Sequence, residues 1–159
     1  MATYDVVGVG VAGTRPSRRN PGVRVPYLVE NTIDISQVNA GAGTATNDVL
    51  QVLNIPAETL ILHAGIEIIT ALSNSVTLDL GITGGDVDTF VDGDANATGY
   101  SVLTATARPV IASADTLDLL CLSAASSAGK LRVFAILCDV GGVDETDRQT
   151  ATQHDTDVS

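Results

Sequence analysis

"TLILHAGIEIITAL" (residues 59–72), followed closely by "SVTLDLGI" (75–82), decides the class of fold. In the first stretch Leu60, Leu62, Ala64, Ile66 and Ile68 fall on one side of an extended chain. Ile61, His63, Gly65, Glu67 and Ile69 fall on the other. In the second, Val76, Leu78, Leu80 and Ile82 face one way, and Thr77 and Asp79 the other. Side chains alternate with a period of two along a strand but return every 3.6 residues around a helix. The pattern therefore predicts two half-buried strands, with Leu62 and Ile66 excluded from solvent. Ser73-Asn74 between them reads as a hairpin-like gap.

The same reading extends in both directions. "YLVENTIDI" (27–35) is rich in β-branched residues and reads as a strand. "VNAGAGTATND" (38–48) reads as a loop, and "DVLQVLNI" (48–55) as a strand stopped by Pro56. Residues 83–99, "TGGDVDTFVDGDANATG", read as a long acidic loop. In "YSVLTATARPVIA" (100–112) Pro109 places the strand at a sheet edge or a bulge. "DTLDLLCLSA" (115–124) and "KLRVFAILCDV" (130–140) read as a last hairpin-like pair around "ASSAG". Seven or eight strands without an amphipathic helix predict an all-β protein. The expected architecture is an antiparallel β-sandwich of jelly-roll or Greek-key type.

Composition sets the outer bounds. A chain of 159 residues corresponds to one domain with a core of useful size. Aromatics are 3% of the chain and Trp is absent, so Val, Leu, Ile and Ala must form that core. The formal net charge is −11, from 19 acidic and 8 basic residues. It is unevenly placed. Residues 1–26 sum to +3 (Arg15, Arg18, Arg19 and Arg24 against Asp5), residues 27–138 to −9 and residues 139–159 to −5. This divides the chain into an extended basic N-terminal arm (1–26), a sandwich domain (27–142) and an acidic flexible tail (143–159). The acidic body argues against nucleic-acid and membrane partners. No secretory leader is expected, and no apolar run approaches the roughly 20 residues that span a bilayer.

Several stretches imitate chemical motifs. "GVGVAG" (8–13) has the glycine spacing of a dinucleotide-binding turn, with Glu30 near the place of a ribose-binding acid. That motif needs a helix to follow, because the helix N-terminus supplies the anion-binding amides. Pro16, Pro21 and Gly22 deny the chain that helix, so the fingerprint is set aside. Asp92, Asp94 and Asn96 have the alternate spacing of a calcium loop. The sixth position, however, is Ala97 and the twelfth Leu103, where that loop needs Gly and Glu. Asp86, Asp88, Asp92, Asp94 and Asn96 thus remain weak calcium candidates, and the commoner role of such residues is to cap local backbone amides. His63 shares a strand face with Glu67 but has no evident nucleophile, and His154 lies in the tail. Asn96-Ala97-Thr98 is a glycosylation sequon by pattern only. Cys121 and Cys138 read as buried thiols, with a bridge between them left open. No catalytic residue, cofactor or firm metal site is expected. Arg15, Arg18, Arg19 and Arg24 lack interleaved aromatics for base stacking, so their expected target is an acidic protein surface.

"NDVLQVLNIPAETLILHAGIEII" (47–69) with "SVTLDLGITGGDVDTFVDGDANATG" (75–99) resembles small virion proteins of tailed bacteriophages. The shared features are a strand, a "PAET" turn, a strand and a "DLGITGGD" loop, covering about a third of the chain. The resemblance implies a capsid decoration (cement) subunit: a β-sandwich, often trimeric, seated on the outer surface of the head. It implies the major capsid protein and neighbouring copies as partners, no catalytic residues, and an arm laid over neighbours. The alternatives are a tail or head–tail component, or a carbohydrate-binding surface module. The scarcity of aromatics counts against the carbohydrate reading.

Overall fold

A computed structural model describes residues 2–5, 25–83, 87–95, 98–101 and 109–141. Arg15, Arg18, Arg19, Arg24, Asp86, Asn96, His154 and the tail from 142 lie outside these residues. So does the stretch 102–108 of the strand expected over 100–112.

Among the described residues, ten strands form two sheets packed face to face. They are β1 (Thr3–Asp5), β2 (Tyr27–Asp34), β3 (Asp48–Ile55), β4 (Thr59–Thr70), β5 (Thr77–Ile82), β6 (Val91–Ala95), β7 (Gly99–Ser101), β8 (Val110–Ile111), β9 (Asp115–Leu122) and β10 (Lys130–Asp139). Sheet A runs β1-β3-β9-β5-β6, and sheet B runs β2-β10-β4-β7 with β8 also on β4. Pairing is antiparallel except for β1 on β3. The fold is an all-β sandwich. Its core is aliphatic, as the composition requires: Leu50, Leu53, Ile61, Ile66, Leu78, Leu80, Leu117 and Leu119 are fully buried, with Phe90 at one side.

Neither expected hairpin exists. β4 and β5 lie in opposite sheets, as do β9 and β10. Their connections, 71–76 and 123–129, are too long for two-residue turns and instead arch over the end of the core. Leu72 and Val76 are buried beneath the first arch. The arches are tied together: Ser73 N donates to Ala128 O (2.9 Å), Asn74 Nδ2 to Ala125 O (2.8 Å) and Thr44 N to Ser126 O (2.7 Å). Between β2 and β3, two short 3-10 turns within Ile35–Gly41, separated by a kink at Val38, Asn39 and Ala40, occupy part of the predicted loop. Asp34 accepts from Ser36 N and begins the first of them.

Two bulges change which residues are inside. Along β4, His63 opposes Ile136 but Ile61 opposes Leu137, so Leu62 is the extra residue. Each extra residue advances the chain by one and swaps its faces. Thr59 and Ile61 therefore point inward before the bulge, and Ala64, Ile66 and Ile68 after it. The strict alternation expected over 59–69 holds only beyond His63. Leu62 is half-buried on the outer face, whereas Ile61 is fully buried. Along β3 the step from Gln51–Asp118 to Leu53–Leu117 makes Val52 extra, and both Val52 and Leu53 are buried.

Three more elements depart from the sequence reading. Thr3–Asp5 within the expected arm forms β1, held by Val49 N to Ala2 O (2.8 Å) and Ala2 N to Asp48 Oδ1 (2.9 Å). Part of the expected 83–99 loop is β6, paired with β5. Pro109 does sit at an edge: its carbonyl accepts from Ile61 N (3.1 Å) beside the two-residue β8.

Candidate functional site

The outer faces of the two sheets differ in chemistry. On sheet B the outward residues of β2, β10 and β4 form rows set by register. Ile136 stands between Leu28 and His63, Phe134 between Glu30 and Gly65, and Arg132 between Thr32 and Glu67. Leu28 is 59% exposed, and Leu62, Phe134 and Ile136 are half-buried. At the end of these rows Arg132 bridges Glu67 (2.7 Å) and Glu30 (3.2 Å). Its guanidinium is thereby fixed beside an apolar strip. Such a strip with a polar edge is the usual anatomy of a protein contact surface.

This arrangement reassigns the His63–Glu67 pair. Glu67 is committed to Arg132, and the His63 ring lies 6.3 Å from the Phe134 ring centre, tilted by 47°. The two cysteines are free and buried, so the open alternative of a bridge is not realised. Burial pushes the Cys121 thiol up to about 11, partly offset by a hydrogen bond with Thr44 and reinforced by Asp48. A thiol so reluctant to ionise is a packing group rather than a nucleophile.

Sheet A carries a cavity of about 430 Å³ with a mixed lining, polar from Gln51, Asn54, Thr83, Asp115 and Thr116 and apolar from Ile55, Pro56 and Ala114. Asp118 lies beside it. Its Oδ2 accepts from Thr83 (2.6 Å) and its Oδ1 from Thr116 (2.7 Å), while Asp115 Oδ1 accepts from Thr116 N (2.7 Å). Burial raises the Asp118 carboxyl above the usual range, the two hydroxyls lower it, and Asp115 raises it further. Sequence reasoning did not single out this group, because Thr83 at the end of β5 and Asp115, Thr116 and Asp118 of β9 are more than thirty residues apart along the chain.

The calcium candidates are only partly brought together. Asp88 and Asp92 lie near Asp79, a buried residue of β5 whose Oδ1 accepts from Gly93 N (2.6 Å). Gly93 has φ +61, a conformation that costs other residues energy, and this turns its amide toward the carboxylate. Burial raises the Asp79 carboxyl, the Gly93 amide lowers it, and Asp88 and Asp92 raise it. Asp86 and Asn96 lie outside the described residues. Among the described residues, no three His, Cys, Asp or Glu side chains form a metal-binding group. Among the same residues, no helix is long and apolar enough to cross a membrane.

No protein-family model matches the chain, and no curated protein does. Three solved structures match its fold. A chain of the Ralstonia phage GP4 capsid superposes with a TM-score of 0.59 at 16% identity, over 89% of this chain and 100% of that one. A chain of the cyanophage Pam1 capsid asymmetric unit gives 0.58 at 16% identity, over 79% and 95%. A chain of the capsid of Helicobacter pylori bacteriophage KHP30, described as acidic stable, gives 0.51 at 12%, over 73% and 90%. This is the fold of phage capsid chains. Each match covers nine-tenths or more of the other chain, so in those capsids a whole subunit corresponds to this sandwich.

Proposed function

We propose that this chain is a structural subunit of a phage virion that decorates the outside of the head and bridges neighbouring capsid proteins. The supporting observation is that it matches complete capsid chains rather than one domain of a larger subunit. A subunit of this kind adds contact area across the joints of a shell under internal pressure. It gains affinity from many weak contacts repeated over the lattice. The strip of Leu28, Leu62, Phe134 and Ile136 beside Arg132 is the surface assigned to that contact. The arginines at 15, 18, 19 and 24 add a cationic contact to the major capsid protein or to other copies. The subunit acts as a homotrimer, and the acidic body faces outward, where it keeps particles apart.

The test uses heads purified from phage lacking the gene. Purified chain is added, and its co-sedimentation and the temperature of DNA release are measured. Stoichiometric binding with a raised release temperature is expected. Binding to tails alone, or no binding to heads, overturns the proposal. Sedimentation velocity of the free chain checks the trimer, and a monomer at high concentration refutes that element.

A further inference from the structure

The strands of sheet A carry Asp at seven positions and no Lys or Arg. The described cations, Lys130 and Arg132, are both on β10 in sheet B. The negative charge of sheet A is therefore not balanced from within its own strands. It also has a specific shape. With Asp118 ionised, Thr83 and Thr116 each donate their single hydroxyl proton to its carboxylate. The two hydroxyl oxygens lie 3.0 Å apart and present lone pairs only. Beside them, Asp115 has committed one oxygen to Thr116 N. This edge of the cavity thus offers acceptors to a donor-rich cation, and the Gln51 and Asn54 amides with the apolar Ile55, Pro56 and Ala114 complete the rim. A planar guanidinium, with five N–H groups in a fixed fork, suits such an edge better than an ammonium.

In sequence, four arginines lie between two described points near this cavity. β1 is parallel to β3, with Asp5 opposite Gln51, so the chain leaves β1 heading toward Asn54 and the cavity. It returns at Val25, just before Tyr27, which pairs with Leu137 near the Thr59–Asp139 end of sheet B. That is the same end of the sandwich as the cavity. Between these two points lie nineteen residues, 6–24, with Arg15, Arg18, Arg19 and Arg24. Fully extended they would reach roughly 60 Å, whereas the two sheets are only about 10 Å apart. The connection has ample slack to lie across the sheet A face. Exposed ion pairs are individually weak, too weak to retain a separate molecule, but a tether at both ends holds the local concentration high.

We infer that the outer face of sheet A, at the cavity bounded by Gln51, Asn54, Thr83, Asp115 and Thr116, is a guanidinium-binding surface whose occupant in the free subunit is the arginine segment 15–24 of the same chain. The inference concerns the isolated chain in solution and does not depend on the virion reading. It assigns to these arginines a resting place on their own subunit.

The experiment attaches a nitroxide to the full chain at Ser17→Cys in a Cys138→Ser background, Cys121 being fully buried. Amide signals of residues 51–54 and 115–118 are then followed by NMR. At low ionic strength several-fold broadening of these signals is expected. It should fade in about 0.5 M salt, where the Debye length falls to roughly 4 Å. It should fade equally in an Asp115→Asn, Asp118→Asn variant. A mixture of spin-labelled chain without isotope and isotope-labelled chain without the nitroxide should show no broadening. Absence of broadening in the singly labelled chain overturns the inference. Broadening in the mixture overturns the same-chain assignment, and broadening insensitive to salt overturns the ionic one. Failure to bind heads would leave each of these outcomes unaffected.

Discussion

The bulge at Leu62 makes a prediction in which two neighbouring substitutions should differ sharply. Ile61 is fully buried in the core and Leu62 is half-buried on the outer face. Truncation to Ala removes three carbon atoms at either position. For Ile61 the lost transfer energy is about 2.4 kcal/mol, from ~0.8 kcal/mol per buried carbon. The space left behind adds about 1–2 kcal/mol if the surrounding Leu and Ile side chains do not relax fully, at ~24 cal/mol per Å³. Ile61→Ala should therefore cost about 3–4 kcal/mol, a large part of the ~5–15 kcal/mol that domains of this size possess. Leu62→Ala loses only the covered part of its side chain, about 1 kcal/mol or less. Urea unfolding followed by circular dichroism, with the m-value checked for constancy, measures both. If Leu62→Ala costs as much as Ile61→Ala the bulge is misplaced, and if it costs more the alternation read from the sequence is right after all.

Gly43 has φ +78, and a Cβ there would collide with the Ser126 carbonyl oxygen, so Gly43→Ala should destabilise by roughly 3 kcal/mol or more in the same assay. Asp79 has a raised carboxyl, so the folded state holds its proton more tightly than the unfolded one. Its contribution to stability must then improve as pH falls from neutrality through the folded-state value toward the ordinary range near 3.9, and Asp79→Asn should flatten that part of the urea-midpoint profile. An unchanged profile would refute the assignment. Deleting residues 1–26 should destabilise the sandwich by roughly 1–2 kcal/mol, because it removes β1 and the packing of Tyr4 on the core. Replacing 6–24 by a short Gly-Ser linker should leave thermal stability within about 0.5 kcal/mol, and equal losses would show that β1 contributes nothing. Calorimetry should detect at most weak calcium binding, and saturation at micromolar calcium would show that the Asp86–Asn96 stretch is a true site.

The class of fold was legible because strand period is a local property. Leu78, Leu117, Leu119, Leu131 and Val133 alternate with polar or half-exposed neighbours, and all five are buried. The rejection of the glycine fingerprint rests on Pro16, Pro21 and Gly22, which lie outside the described residues. The Thr83–Thr116–Asp118 group was not legible, because its members meet only once β5 and β9 are side by side. Arg132 gave no warning that it would bind two glutamates from β2 and β4, for the same reason.

By itself, then, the amino-acid sequence determined that this chain is an aliphatic β protein with basic and acidic ends, because period, composition and charge are carried by neighbouring residues. Only the tertiary structure decided that β4 and β5 part into different sheets, that Leu62 is the residue left over, and that Thr3–Asp5 belongs to a sheet. Each of these is a choice of partner strand. Partner choice depends on filling one common core across two layers, a condition that no local stretch of sequence contains.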